Sequence, residues 1–183
     1  MKSFSKISNA PVTDRRRFII GLAGWGLLLA SPPGRVQGRG MTPMPAVSPA
    51  PTLRLKDGDD RIVDLAQYKG RVVLVNFWAT WCPPCRKEFP SLGRVRKLFK
   101  PGEFEVVAVN VGEDPDSVFS FAGITDFPIV FDRDAKAMDA WAVRGLPTTF
   151  LVDRKGQIAY RATGGREFDD PEIVATIQQL LKR

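Results

Sequence analysis

The sequence predicts an α/β fold with one core, because two long apolar runs are each followed by helix-forming segments and a hairpin follows in the last third of the chain. Residues 72–78 and 104–111 are nearly continuous apolar runs, which are typical of strands buried on both faces of a sheet. Two further β-rich runs flank a turn at Lys155 and Gly156. A chain of 183 residues is long enough for one well-packed domain and short for two.

The first half of the predicted domain contains a short hairpin and the helix that carries the cysteines. Residues 52–55 and 61–64 flank an Asp-Gly turn and are predicted to pair as strands. A helix is predicted to start just after Cys82 and to be kinked at Pro90. The apolar stripe of this helix consists of Phe89, Leu92, Val95, Leu98 and Phe99.

Four elements are predicted after the second apolar run. They are a helix capped by Asp114 and Pro115 and closed by Gly123, a short helix at 135–142, a hairpin of residues 148–153 and 157–163, and a last helix from Asp170 and Pro171. The resulting order is strand, helix, strand, helices, hairpin and helix. This order predicts a thioredoxin fold with a helix-containing central insertion and an N-terminal β-hairpin.

The charge distribution argues against a nucleic-acid partner. The net charge of +7 is concentrated in residues 1–40, which hold seven Lys or Arg and a single acid, Asp14. Residues 41–183 hold twenty basic and nineteen acidic residues, so the folded part lacks the excess of cations that phosphate binding requires. The sequence has no His, which excludes imidazole metal sites and Ser-His-Asp or Cys-His catalysis.

Residues 1–30 are predicted to be an export signal. An arginine cluster at 15–17 precedes an apolar run at 18–30, which is the order found in signal peptides. A helix of that run would span about 20 Å, which is short of a permanent membrane span. The cluster resembles a twin-arginine signal, with Asp14 where that pattern prefers Ser or Thr. Cleavage would release the domain, whereas an uncleaved segment would associate it with the membrane.

Residues 31–52 are predicted to be a linker. They contain six Pro and three Gly, a composition that favours an extended tether over a helix or strand. This tether would hold the domain away from the membrane or be trimmed after export. The thioredoxin-like domain is accordingly placed at 53–183.

The two cysteines, Cys82 and Cys85, lie where the first buried strand gives way to a helix. The free N–H groups and the dipole of a helix start favour a thiolate, so we expect a lowered pKa at Cys82. Cys85, one turn further on, is expected to face inward and to resolve a mixed disulfide. A CxxC motif can also form a structural disulfide or half of a zinc site, but zinc would need two more Cys or His ligands. We predict a redox-active disulfide and no metal or other cofactor.

Three motifs surround or follow the cysteines. They are VVLVNFWATWCPPCRKEFP at 72–90, VVAVNVGE at 106–113 and GLPTTFLVDRKG at 145–156. With these motifs, residues 52–183 resemble the TlpA-like and ResA-like thioredoxin-fold proteins of the bacterial cell exterior. The resemblance implies a thiol-disulfide oxidoreductase.

The resemblance also implies a binding site for client proteins. Pro147 would follow a cis peptide bond and lie against the cysteine pair, and the backbone of Leu146 would pair with an extended segment of the client. Without the resemblance, Pro147 would be expected only to begin a strand. Trp81, with Pro83 and Pro84 between the cysteines, completes the predicted client-binding residues, and Trp78 is expected to wall the site with Trp81.

The proton chemistry of the site is predicted to depend on a glutamate. A thioredoxin proper has a buried Asp where this chain has Asn76, and an amide cannot carry the proton. Glu88, three residues after Cys85, matches an acidic residue that ResA-like proteins place beside the active site. We therefore predict that Glu88 is the proton carrier for Cys85 or tunes the pair. Glu113 is a second candidate, for which we expect a structural role.

The resemblance implies a reductant in an oxidising compartment, the bacterial periplasm or the outer face of the cytoplasmic membrane. Its clients would be proteins with cysteine pairs, such as haem-binding cysteines in cytochrome c maturation or copper-site cysteines, and a membrane thiol would donate the electrons. A disulfide-forming oxidant is an alternative, although strong oxidants of the DsbA type place a His between their cysteines. A copper-binding thiol protein is a third hypothesis.

Overall fold

The computed structural model describes residues 40–183, which form a six-stranded sheet, a separate two-stranded hairpin and four α-helices. The strands are β1 (Thr42–Pro49), β2 (Arg54–Lys56), β3 (Ile62–Asp64), β4 (Val72–Trp78), β5 (Phe104–Val111), β6 (Ile129–Asp132), β7 (Thr148–Val152) and β8 (Gln157–Thr163). The helices are α1 (Pro83–Lys97), α2 (Pro115–Ala122), α3 (Lys136–Ala140) and α4 (Pro171–Leu181), with a 3-10 helix at Leu65–Tyr68.

The strand order in the large sheet is β1-β8-β7-β4-β5-β6, so β4 lies in the middle. It runs parallel to β5 and antiparallel to β7, and β5 runs parallel to β6. The carboxyl ends of β4 and β5 therefore share one edge of the sheet, and α1 starts from that edge. The predicted α/β thioredoxin fold, with its central insertion and its β2–β3 hairpin, is confirmed.

The long elements match their predicted bounds. β4 and β5 cover the two apolar runs, and every residue of both strands is buried. α1 begins directly after Cys82 and continues through Pro90 to Lys97. Asp114 precedes α2 as predicted and Gly123 ends it, although the Asp114 side chain makes no capping hydrogen bond.

The prediction that residues 31–52 form no strand is wrong for their second half. β1 pairs antiparallel with β8, and its register shifts between Pro43 and Ser48. Because β1 is at the edge of the sheet, it needs hydrogen bonds on one side only, and an edge strand tolerates proline where the N–H would face solvent. The composition of the segment was a poor guide because the pairing partner is far away in the chain. The predicted export signal and residues 31–39 lie outside the described residues.

β6 was missed in the sequence. It has four residues, Ile129–Asp132, and it pairs with the end of β5. A run of four residues, of which three are apolar, is too short to show a period that separates a strand from a buried loop. α3 is also shorter than the predicted helix at 135–142, since Ala135 adopts a left-handed conformation before the helix starts.

Apolar side chains cover both faces of the sheet, and alternate residues of β4 point to opposite faces. One face, packed against α1 and α4, receives Val72, Leu74 and Trp78. The other receives Val73, Val75 and Phe77. Asn76 has the same parity as Leu74, so its side chain points toward α1. No helix among the described residues has the length and apolar content needed to cross a membrane.

The packing of α1 predicts a large difference between two leucines on the same helix segment. Leu92 is fully buried, so Leu92→Ala should lower the free energy of unfolding by about 2–5 kcal/mol. Leu98, predicted to belong to the apolar stripe, is instead the C-cap residue that follows α1 and is 57% exposed, so Leu98→Ala should change it by less than about 0.5 kcal/mol. Urea unfolding of the oxidised protein measures both, and equal effects would contradict the packing described.

Candidate active site

The cysteine pair lies at the start of α1. Cys82 is the N-cap residue and Cys85 follows in the first turn, and the two sulfurs form a disulfide. The Cys85 amide donates a hydrogen bond to Cys82 Sγ at 3.3 Å. Cys85 is completely buried and Cys82 is 4% exposed. Negative charge on Cys82 would therefore lie at the positive end of the helix dipole, next to an N–H donor.

Glu88 is a buried carboxyl group behind the disulfide on α1. It is 2% exposed and lies three residues after Cys85, on the same face of the helix. Asn76 Nδ2 donates to Oε1 at 2.8 Å, and the Arg166 amide donates to Oε2 at 3.0 Å. Burial raises the pKa of Glu88 to about 7, and these two hydrogen bonds offset only part of the rise. Glu88 can therefore both lose and gain a proton near neutral pH.

Asn76 joins Glu88 to the neighbouring strand. Its Nδ2 also donates to Thr149 Oγ1 at 2.8 Å, whereas its Oδ1 is buried without a hydrogen-bond partner. A rotation of the amide would turn Oδ1 toward Glu88 and provide an acceptor for a protonated carboxyl. The amide can thus face either protonation state of Glu88, although it cannot carry the proton itself.

The loop from β8 to α4 closes over Glu88. A Cβ atom on Gly165 would lie 3.2 Å from the Pro84 carbonyl oxygen and 3.3 Å from Pro84 Cβ, so the loop backbone packs directly on the first turn of α1. Ser91 Oγ donates to the Glu88 carbonyl at 2.6 Å and accepts from the Phe168 amide at 3.0 Å. The loop is therefore fixed to the helix on both sides of the carboxyl group.

A cis peptide bond joins Leu146 to Pro147, which is the geometry that the family resemblance implied. Thr148 pairs with Phe77, so Pro147 lies beside the end of β4, where the chain turns toward the cysteines. Pro147 is buried and Leu146 is half-buried, and Leu146 packs against the apolar cluster that contains both cysteines. The roles of Pro147 and Leu146 in client binding stay predictions.

The predicted wall of the site divides into an outer and an inner part. Trp81 is 67% exposed, and Pro83 and Pro84 are exposed beside it. Trp78 is fully buried, and its ring contacts the tilted ring of Phe89 with 4.3 Å between ring centroids. A partner protein can therefore reach Trp81 and the two prolines directly, but not Trp78.

Glu113 lies just beyond the end of β5 and bonds to the turn before the cysteines. Its Oε2 accepts from the Thr80 amide and from Asn110 Nδ2, both at 2.7 Å, and its Oε1 accepts from the Thr80 hydroxyl. Both carboxylate oxygens are thus occupied by groups outside the disulfide. This arrangement fits the structural role expected for Glu113 and not that of a proton carrier.

Three contacts of the site had no sequence signal. The Arg166 amide reaches Glu88 across 78 positions, and a backbone N–H has no residue-type signature. Thr149 meets Asn76 through the pairing of β4 with β7. Gly165 lies outside the three motifs. Within residues 40–183, no group of three or more His, Cys, Asp or Glu side chains is arranged to hold a metal ion.

Comparisons with known proteins identify the family of this chain. Residues 43–177 match the Redoxin family. The thiol-disulfide oxidoreductase ResA of Bacillus subtilis (strain 168) is 43% identical over 120 residues, which are 64% of this chain and 66% of that protein. ResA of Geobacillus kaustophilus (strain HTA426) is 41% identical over 128 residues, which are 68% of this chain and 73% of that protein.

The fold has close counterparts among solved structures. A candidate thiol:disulfide interchange protein DsbE from Chlorobium tepidum superposes with a TM-score of 0.68 at 31% identity, covering 74% of this chain and 96% of that one. The match to the family begins at residue 43, inside β1, which agrees with the strand found there. This chain therefore belongs to the Redoxin family and is a ResA-like, thioredoxin-fold thiol-disulfide oxidoreductase with the cysteine pair Cys82 and Cys85.

Proposed function

We propose that this protein reduces disulfides in client proteins, with Cys82 as the attacking sulfur and Cys85 as the resolving one. The position of Cys82 at the N-cap of α1 carries the assignment of the attacking sulfur, because a helix start stabilises a thiolate. The direction of the reaction is inferred from Pro83 and Pro84, which place no thiolate-stabilising His between the cysteines, whereas strong oxidants of the DsbA type have one there. Complete burial of Cys85 supports its role as the second sulfur, since a client disulfide reaches the outer residue first.

The reaction has two exchange steps. In the reduced protein, the Cys82 thiolate attacks one client sulfur, the client S–S bond breaks, and the released client thiolate takes a proton. Cys85 then loses its proton and attacks Cys82, which breaks the mixed disulfide and releases the second client sulfur as a thiolate that takes a proton from water. Two electrons have moved to the client, and the protein carries the Cys82–Cys85 disulfide. A thiol donor restores the reduced pair by the reverse exchange.

Glu88 serves as the base for the second step. Its carboxyl lies one helical turn from Cys85 in a buried site, and its pKa of about 7 allows it to accept the Cys85 proton at neutral pH. The Asn76 amide holds the charged form through Nδ2 and can present Oδ1 to the protonated form. The proton is thus stored inside the protein without exposing the site to water.

The client segment would bind along the surface formed by Trp81, Pro83, Pro84 and Leu146, with Pro147 beneath it. Trp81 offers an exposed apolar ring next to Cys82. Leu146 precedes a cis bond, and an extended client chain would pair with its backbone. Contacts along this surface would let the enzyme prefer a disulfide in a protein over a disulfide in a small molecule.

The clients we propose are proteins with reducible cysteine pairs, namely haem-binding cysteines in cytochrome c maturation or copper-site cysteines. The signal-like residues 1–30 support an export to the periplasm or the outer face of the cytoplasmic membrane, where oxidised client cysteines occur. A membrane thiol protein would supply the electrons. The likeness to ResA and DsbE proteins supports these assignments.

The reduction potential of the cysteine pair tests the direction of electron flow. Equilibration of the protein in glutathione or dithiothreitol buffers, followed by alkylation and mass analysis, measures it. We expect a value near that of thioredoxin, about −270 mV, or lower. A value near that of DsbA, about −120 mV, would contradict the proposal and make the protein a disulfide-forming oxidant.

A further inference from the structure

The turn between β4 and α1 is where the polypeptide must present Cys82. Residues 79–82 connect a fully buried strand to a helix, so their N–H groups cannot all join the sheet or the helix. The Cys82 amide donates to the Ala79 carbonyl at 3.3 Å, which closes the turn from inside. The Thr80 amide is left to find a partner outside the turn.

That partner is the Glu113 carboxylate, which takes both polar groups of Thr80. The amide donates to Oε2 at 2.7 Å and the hydroxyl donates to Oε1. Thr80 thus donates two hydrogen bonds, one to each oxygen of the Glu113 carboxylate. Together they fix the position of Thr80 and the direction in which the chain continues toward Cys82.

Glu113 is itself held by the sheet. Asn110 Nδ2 donates to its Oε2 at 2.7 Å, and Asn110 is fully buried in β5 directly beside Trp78 of β4. The carboxylate thus connects the rigid end of β5 to the turn that follows β4. Because Glu113 is held by Asn110 and in turn holds Thr80, the segment between Trp78 and Cys82 has little conformational freedom.

We propose that Glu113 is a positioning residue for the cysteine chemistry: its carboxylate fixes the turn at Thr80 and thereby keeps Cys82 Sγ at the N-cap of α1. The inference rests on the proposed role of Cys82 as the attacking sulfur. Without the anchor, the turn would sample other conformations, and Cys82 would lose part of the helix-start stabilisation of its thiolate. Glu113 acts through hydrogen bonds, so its charge is not what the cysteine needs.

Two substitutions at Glu113 separate the hydrogen bonds from the charge. Glu113→Gln can keep all three contacts, because its oxygen can accept from Thr80 and Asn110 while its amide donates to the Thr80 hydroxyl. Glu113→Ala loses all of them. Glu105→Ala is the matched control, since Glu105 is a buried carboxylate at the other end of β5 that also accepts three hydrogen bonds, from Arg96 and Val106.

The measurement is the rate of iodoacetamide alkylation of Cys82 in the reduced full-length protein as a function of pH, with the labelled residue located by mass spectrometry. For Glu113→Ala we expect a higher titration midpoint and alkylation about tenfold slower at pH 7, which corresponds to about one pKa unit. Alkylation of Cys82 in Glu113→Gln and Glu105→Ala should stay within about twofold of the wild-type rate. A twofold change is smaller than the effect expected from the loss of one hydrogen bond to a charged group.

Thr80→Val gives a second variant, because it removes the hydroxyl bond alone and keeps the amide bond. It should slow alkylation by about threefold, in line with the loss of one hydrogen bond. A wild-type profile in both Glu113→Ala and Thr80→Val would overturn the inference, and so would a loss in Glu113→Gln as large as in Glu113→Ala. If the wild type itself is labelled on Cys85 rather than Cys82, the proposed function fails instead, and its failure is recognised separately.

Discussion

Cys85→Ala is expected to convert the protein into a trap for its clients. Cys82 can still attack a client disulfide, but no second sulfur is present to release the product, so mixed disulfides should accumulate. Overall turnover should fall by at least about 10³-fold, because the resolving attack benefits from two sulfurs held in one helical turn. Non-reducing electrophoresis and mass spectrometry of cells that express the variant would show the adducts and identify the clients.

Cys82→Ala is the matched control for this experiment. It keeps one cysteine, but Cys85 is completely buried and cannot meet a client disulfide directly. No adducts are expected from it. Adducts of equal abundance from both variants, or from neither, would show that the assignment of attacking and resolving sulfurs is wrong.

Glu88→Gln is expected to remove the pH dependence of the resolving step. In the wild type, Glu88 accepts the Cys85 proton only when ionised, so the rate should rise with pH through about 7. The variant has no ionisable group there and should be slower by a factor on the order of 10² at neutral pH. Rapid-mixing measurement of mixed-disulfide decay at several pH values checks this, with the exposed Glu103→Gln as control.

Glu88→Gln should also change how the free energy of unfolding depends on pH. Burial raises the pKa of Glu88 from 4.5 to about 7, so between these values the folded protein keeps a proton that the unfolded chain has lost. The stability associated with the neutral carboxyl is therefore complete below about pH 4.5 and is lost as the pH rises through 7, by about 3 kcal/mol. Glu88→Gln should lack this loss. Urea unfolding of both proteins at a series of pH values gives the difference, and parallel curves would reduce Glu88 to a scaffold residue.

Parts of the fold could be predicted where the signal was local. β4 and β5 are long apolar runs, so their bounds follow from composition, and α1 follows from the helical spacing of the apolar residues after the cysteines. β6 was missed because four residues carry no period. The prolines of residues 31–52 argue against a strand only if every strand residue must donate its N–H to a neighbour. β1 is an edge strand, so the N–H groups on one of its sides need no partner in the sheet.

The site likewise contains residues that could be predicted from the sequence and contacts that could not. The spacing of Cys82 and Cys85 at a predicted helix start places the two cysteines together. Glu88 could be predicted only through the family resemblance, which implies an acidic residue beside them. Their supporting contacts come from other elements: the Arg166 amide and Thr149 converge on Glu88 and Asn76 through the sheet and a loop. Such contacts depend on tertiary packing, and an amide donor looks the same in every sequence.

The packing of Gly165 on Pro84 limits how this enzyme can evolve. The two residues are 81 positions apart, yet a side chain at 165 would have to displace the turn between the cysteines by a few tenths of an ångström. The contacted atoms are a backbone oxygen and a Cβ, which any residue except glycine would supply at position 84, so position 165 favours glycine whichever dipeptide separates the cysteines.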